Sequence, residues 1–335
     1  MYRDGKRVLT TKRHNFVLNH GALGDAICSL PAIIKAGIGF SDAIDLRVWC
    51  GAWQHDLFQH LLKPYGKFTM MDFAKFPAKW IDRKEIRATT DFGPVSYNGP
   101  AFDQHTRNRV HMVDFAFNLL IDSRPENMGE RSYPVLAPLG PRTIEDAYVV
   151  FPVGATSENK LFRASVMAPI MKWCIENDYK VVITGTEKSH THVNEGGVLK
   201  PITMIAQTQM LPPELFAQLI DLREKTTLLE LRDVLGHANA VVGVDGGSLH
   251  LAGTTDAPIV FASGTTLPKH RYIARHGDPN HKIRYVGPRD LECAGCQSNF
   301  LMTTWDFRQC VYQDNKCMEL LHPDDFINGL KALGL

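Results

Sequence analysis

Two short stretches carry residue types that could do chemistry, and each sits where an apolar strand hands over to an apolar helix. The first, HGALGDAICSLPAII (residues 20–34), places Gly21, Gly24 and Asp25 at its junction. A simple connector needs no carboxylate there, although a helix N-cap would account for one. The second, GVDGGSLHLAGTTDAPIVFASGTT (residues 243–266), leads from a strand into Asp245, then Gly246 and Gly247, then a helix from about Ser248 with His250 in its first turn. Glycines let the backbone approach a ligand, and the N–H groups of a helix start carry a partial positive charge. The combination predicts a phosphate cradle made from backbone. The same residue types also build an ordinary turn, with Asp245 as a cap and His250 as an interior histidine.

Two further clusters stand out. Four of the seven cysteines crowd into the tail as Cys293, Cys296, Cys310 and Cys317, close to a structural zinc spacing although the last pair is wider than a zinc ribbon uses. We read them first as reduced thiols and second as a zinc site. Basic residues gather at Lys269, His270, Arg271, Arg275, His276, His281, Lys282 and Arg284. Their plain reading is a solvated loop near an anionic donor, and their sharper one is contact with an anionic acceptor.

The elements that position these residues alternate between strand and helix. Residues 15–20, 44–50, 67–73 and 86–91 read as strands; 25–36, 53–62 and 111–121 read as helices, the last with Met112, Phe115, Leu119 and Leu120 on one face. Residues 122–145 are rich in Pro, Gly and charge and read as a linker. A second series follows: strands at 147–154, 180–185, 202–206, 238–244 and 257–263, and helices at 163–177, 228–237 and 248–253, with a last helix after Pro323. Such alternation predicts α/β domains with parallel sheets covered on both faces.

At 335 residues the chain suits two domains. Lys+Arg 37 against Asp+Glu 36 leaves a formal charge of +1, which excludes a global nucleic-acid footprint. The longest apolar runs fall far short of the roughly 20 residues of a membrane span, and the basic N-terminus lacks the apolar core of a signal peptide. We therefore expect a cytoplasmic protein, peripheral at the inner membrane face if its acceptor is a lipid. Gly21-Ala-Leu-Gly24-Asp25 is not the Gly-x-Gly-x-x-Gly of a nicotinamide enzyme.

Five segments, in order, resemble the motifs of glycosyltransferase family 9, the lipopolysaccharide heptosyltransferases and their relatives: GALGDAICSLPAI, FPVGATSENKLF, TTLLELRDVLGHANAVVGVD, VDGGSLHLAGTTDAPIVFASGTT, and ECAGCQ with KCMELLHPDDF. Roughly residues 65–110 match nothing in that pattern. The resemblance implies a GT-B fold, two Rossmann-like domains facing across a cleft. An acceptor domain would span 1–140, a sugar-nucleotide domain 141–322, and a C-terminal helix 323–335 would pack back toward the first. It also implies an inverting, metal-independent transfer from a nucleoside-diphosphate sugar, ADP-heptose-like, to a saccharide of a surface glycan or lipopolysaccharide.

By motif position Asp25 matches the family's catalytic base and Lys160 its phosphate-directed lysine, with Thr156 and Ser157 able to donate to the same oxygens. Leu228 lies where members approach the nucleotide base. Asp245, Gly246, Gly247, Ser248 and His250 would hold the donor, and Gly21, Gly24, Lys269 and Arg271 would line the acceptor and phosphate loops. Gly246 departs from the pattern, which has Ser or Thr there. No Asp-x-Asp occurs, so Lys160 and the helix terminus would supply the counter-charge without a cofactor. Competing readings keep the chemistry with another acceptor, such as modified DNA bases, or make the chain a non-catalytic nucleotide-sugar binder.

Overall fold

The computed structural model describes residues 2–3, 6–7, 13–18, 23–39, 45–76, 86–88, 112–121, 124–195, 198–296, 310, 312 and 314–335. After a short antiparallel pair at the N-terminus, the first half runs β1 (Arg13–Val17), α1 (Leu23–Gly39), β2 (Asp45–Cys50), α2 (His55–Leu62), β3 (Phe68–Asp72), β4 (Ile86–Ala88) and α3 (Met112–Ile121). Its sheet is parallel, ordered β3-β2-β1-β4.

The second half runs β5 (Tyr148–Val153), α4 (Ala164–Glu176), β6 (Lys180–Gly185), β7 (Lys188–Glu195), β8 (Val198–Ile205), β9 (Ile220–Asp221), α5 (Leu228–Gly236), β10 (Ala240–Val244), α6 (Gly247–Ala252), β11 (Ile259–Ala262), β12 (Ile283–Val286) and α7 (Pro323–Ala332). Its sheet is also parallel, ordered β9-β6-β5-β10-β11-β12. Counted within this half the order is 3-2-1-4-5-6, which reverses direction between β5 and β10. Open α/β sheets bind ligands beside such a reversal, at the carboxyl ends of the strands. The first sheet reverses likewise between β1 and β4.

The central strands are buried along their whole length because both faces are covered. Along β5, Val149, Phe151 and Val153 pack toward α4 and α7, while Tyr148 and Val150 join a core that includes Phe16, Ile27 and Leu30 of the first half. This second cluster runs without a break across both halves. α4 buries Val166, Met167, Ile170, Met171 and Cys174, one stripe at helical spacing. α5 starts with a capping box: Glu230 N donates to Thr227 Oγ1, and Thr227 N donates to Glu230 Oε2.

The described part of the linker, 124–145, has no helix or strand, and the second half holds it in place. The fully buried Arg232 guanidinium donates to the carbonyls of Leu136, Ala137 and Thr254. Asp233 accepts from Leu139 N and Gly140 N, both at 2.8 Å.

Several expectations are corrected. α1 begins at Leu23 and ends at Gly39, longer at both ends than 25–36, so Asp25 lies inside the first turn rather than capping it. Residues 188–195 and 198–205 pair as antiparallel strands, whereas the sequence predicts only a strand at 202–206; the first of the two, KSHTHVNE, is almost wholly polar and gives no apolar signal. β12 lies within the stretch read as a basic solvated loop. α7 packs on α4, β11 and β12 of the second half instead of returning to the first, with the rings of Phe162 and Phe326 stacked at 5.4 Å.

Candidate active site

Three loops meet at the carboxyl edge of the second sheet. After β5 the chain turns at Gly154, whose φ of 89° and backbone contact with Thr186 admit no side chain, and continues through Thr156 and Ser157 to a 3-10 turn, Glu158–Lys160. Thr156 is exposed and Ser157 buried. After β10 come Asp245, Gly246 and α6. After β11 come Ser263 to Thr266 and a helical turn, Pro268–Arg271. The N-terminus of α5, with Leu228 half-buried against the core, opens on the same edge.

Asp245 is the hub of these loops. Its Oδ2 accepts from Lys160 Nζ at 2.8 Å and from Thr266 Oγ1 at 3.3 Å, and its Oδ1 faces His250 Nε2 at 3.4 Å. It does not cap α6; the N-cap is Gly246. Burial works against its ionisation, but Lys160, His250 and Arg271 outweigh that and hold the carboxyl well below the usual carboxylate range.

His250 continues the network. Its Nδ1 lies 2.8 Å from Tyr133 Oη, which lies 3.0 Å from Cys28 Sγ. Burial disfavours the imidazolium, yet Cys28 and Asp245 on its two sides raise the group to about 10. A charged ring donates from Nε2 to Asp245 and from Nδ1 to Tyr133, so the Tyr133 hydroxyl turns its proton toward Cys28. All four side chains are buried. The chain of bonds runs from a strand end of the second half, through a linker residue, to α1 of the first half, where Cys28 lies three residues on from Asp25.

The two glycine junctions touch directly. A Cβ on Gly24 would lie 3.0 Å from the His250 ring and 3.5 Å from Gly247 Cα; one on Gly247 would lie 3.0 Å from Leu23 Cβ and 3.3 Å from Gly24 N. Asp25 is half-buried in the first turn of α1, where a negative charge is favoured by the helix dipole, and Ser29 Oγ donates to its carbonyl at 2.9 Å. Gly21 lies outside the described residues. An open groove of about 370 Å³ lined by His55, Asp56, Gln59, Phe68, Thr69 and Met70 contains none of these residues, so convergent charge, and not cavity size, marks the site.

The basic stretch is largely used internally. Arg275 is fully buried and donates to the carbonyls of Thr255, Ala257 and His281. Arg271 is 9% exposed and lies within electrostatic reach of Asp245, while Lys269 is exposed. His276, His281 and Lys282 pair with Asp256. The expected solvated loop is therefore a pinned one. The four tail cysteines are free thiols, Cys317 buried and the others half-buried. Burial, and then its three cysteine neighbours, push the Cys317 thiol up to about 12.

Sequence reasoning missed Cys28, Tyr133 and Thr266. Thr266 falls in the quoted FASGTT segment; Tyr133 and Cys28 carry no local signal because their partners are distant in sequence.

A parallel sheet in Rossmann-like strand order with a charged cluster at its reversal, beside a second parallel sheet, has the layout of a nucleotide-binding α/β protein. Residues 123–284 match the family model described as glycosyltransferase family 9 (heptosyltransferase). The iron-containing dodecameric glycosyltransferase TibC of enterotoxigenic E. coli H10407 superposes over 95% of this chain and 75% of its own, with a TM-score of 0.66 at 18% identity. E. coli ADP-heptose LPS heptosyltransferase II superposes over 96% and 98% (0.57, 15%), and E. coli heptosyltransferase WaaC with ADP over 96% and 100% (0.55, 13%). No curated protein matches the chain. The fold is the GT-B fold of those enzymes, and the glycosyltransferase family 9 model matches the stretch that carries the linker and most of the second sheet. Among the described residues, no helix is long and apolar enough to cross a membrane.

Proposed function

We propose that the chain moves a heptose-like sugar from an ADP-sugar to a saccharide hydroxyl of a surface glycan or lipopolysaccharide, with inversion. Residues 1–140 would hold the acceptor, 141–322 the donor, and 323–335 would brace the donor half. The supporting observation is the convergence of Lys160 and Arg271 on the strand reversal, with Asp25 just across the Gly24–Gly247 contact. Transfer requires that the acceptor hydroxyl lose its proton and that the departing diphosphate be stabilised. Asp25 takes the proton. Lys160, with the hydroxyls of Thr156 and Ser157 and the first N–H groups of α6, meets the negative charge that develops on the leaving group. Leu228, Ser248 and His250 shape the remaining donor contacts.

TibC is an iron-containing enzyme, and the sulfur donors here that would hold such an ion are Cys293, Cys296, Cys310 and Cys317. Four sulfur donors suit tetrahedral iron or zinc. An ion there would cross-link the tail, and no step of the transfer passes through it.

A thermal-shift series across sugar nucleotides tests the donor, because a ligand that binds only the folded state raises the melting temperature. ADP-heptose should give the largest shift, and labelled sugar should then appear in a glycan acceptor. A flat response to all sugar nucleotides, or label entering DNA alone, overturns the reading.

A further inference from the structure

Among the described residues, one group of three side chains brings its ligand atoms within 4.8 Å of one another, and it lies away from both glycine junctions and from the cysteine tail: Asp256, His276 and His281. Asp256 stands in the turn between α6 and β11. His281 comes just before β12, and His276 lies five residues earlier in the same loop. The cluster therefore sits at the amino ends of β11 and β12, the edge opposite the donor loops.

Its geometry is specific. The Nε2 atoms of both imidazoles face one carboxylate oxygen, Asp256 Oδ1, at 3.0 Å for His281 and 3.5 Å for His276. The rings lie 4.8 Å apart, edge to face. For metal–ligand bonds of about 2.1 Å, two ligands at a right angle are about 3.0 Å apart and two at the tetrahedral angle about 3.4 Å apart. Both histidine-to-carboxylate separations match, and with all three ligand atoms within 4.8 Å of one another a small rotation of the two rings closes the set on an ion. The other oxygen, Oδ2, is taken by Lys282, which leaves Oδ1 for monodentate ligation. Beneath the cluster the buried Arg275 guanidinium ties the carbonyls of Thr255 and Ala257 to that of His281, so the two loops that carry the ligands are already fixed relative to each other.

We propose that Asp256, His276 and His281 form a surface site for a divalent transition-metal ion, with water completing the coordination. Two imidazoles and one carboxylate on one face suit zinc, cobalt or ferrous iron rather than calcium or magnesium, which take oxygen ligands. The ion clips the loop after α6 to the loop before β12. It is a structural site, remote from the donor edge.

The test is titration of the full-length protein with Co²⁺ under reducing conditions, followed by visible absorption and melting temperature. Beyond any Co²⁺ taken by the tail cysteines, the site predicts one equivalent whose ligand-field bands carry no sulfur-to-metal charge transfer, and a melting temperature that rises as it fills. His276→Ala and His281→Ala should each abolish that equivalent and the thermal shift. Cys293→Ser should leave both intact, and Lys282→Met should tighten binding several-fold by removing a like charge. Transfer by His281→Ala should stay at the wild-type rate, so loss of this site and failure of the transferase reading are distinguishable. The proposal is overturned if this equivalent does not bind at 100 µM (about −5.5 kcal/mol), if it survives in both histidine variants, or if all Co²⁺ bound shows charge transfer and disappears with Cys293→Ser.

Discussion

The two strand-to-helix junctions are built from nearly the same residues and hold their carboxylates in opposite ways. In the second half the aspartate precedes the glycines: Asp245 follows the strand end, is 5% exposed, and is bound by Lys160, His250 and Thr266. In the first half it follows the glycine: Asp25 stands half-buried in the first turn of α1. A carboxylate whose charge is already spent on two cations has little basicity left for a substrate proton. Under the proposed function, the difference suits Asp245 to positioning and leaves proton transfer to Asp25.

Exchanging each carboxylate for an amide breaks or sharpens this comparison most directly. Asp25→Asn should lower kcat by about 10²–10⁴ while calorimetry shows unchanged donor binding. Asp245→Asn should instead destabilise the fold by about 3–5 kcal/mol, since it strands Lys160 and the buried His250 charge, and the melting temperature reads this. Turnover surviving in the first variant, or an unchanged melting temperature in the second, would remove the distinction.

A smaller effect appears in the dependence of stability on pH. His250 is raised to about 10 from an ordinary value near 6.5. Its contribution is complete below about pH 6.5 and is lost as the pH rises toward about 10. Asp245 is depressed, so its contribution is present above about pH 3.9 and is lost as the pH falls below that. His250→Gln should flatten the alkaline decline in melting temperature and leave the acid one. Tyr133→Phe, which removes the hydroxyl between His250 and Cys28, should cost about 1–3 kcal/mol and shrink the same alkaline decline.

The smallest contrast concerns the adjacent glycines. Gly246 is extended, and a Cβ there would meet only Val244 O at 3.6 Å, so Gly246→Ser should fold normally and tighten donor binding by restoring the hydroxyl of the family pattern. Gly247→Ala would press on Leu23 and Gly24 and should cost about 1–3 kcal/mol as overpacking. Melting temperatures for the pair, with donor affinity for the first, check both.

Much of the frame was legible because parallel strands buried on both faces read as apolar runs: AYVVFPVG, KVVITG and ANAVVGV all predict strands that the structure contains. The strand at 188–195 was not, since KSHTHVNE is polar on both faces and points to no buried side. β12 was hidden because its four residues, IRYV, sit among cations. The basic stretch misled for a related reason: charge counted along a chain does not show which guanidinium is turned inward, and Arg275 is fully buried against four carbonyls.

By itself the sequence determined the α/β alternation, the linker and the two glycine junctions, because periodicity, Pro and Gly act over a few residues. Only the tertiary structure decided that the junctions touch at Gly24 and Gly247, that Asp245 is locked in ion pairs, and that Tyr133 joins His250 to Cys28. Those contacts link residues 85 to 223 positions apart, as with Lys160 and Asp245 or Gly24 and Gly247. They form because burial in one shared core leaves each polar group dependent on whichever partner the packing brings within reach.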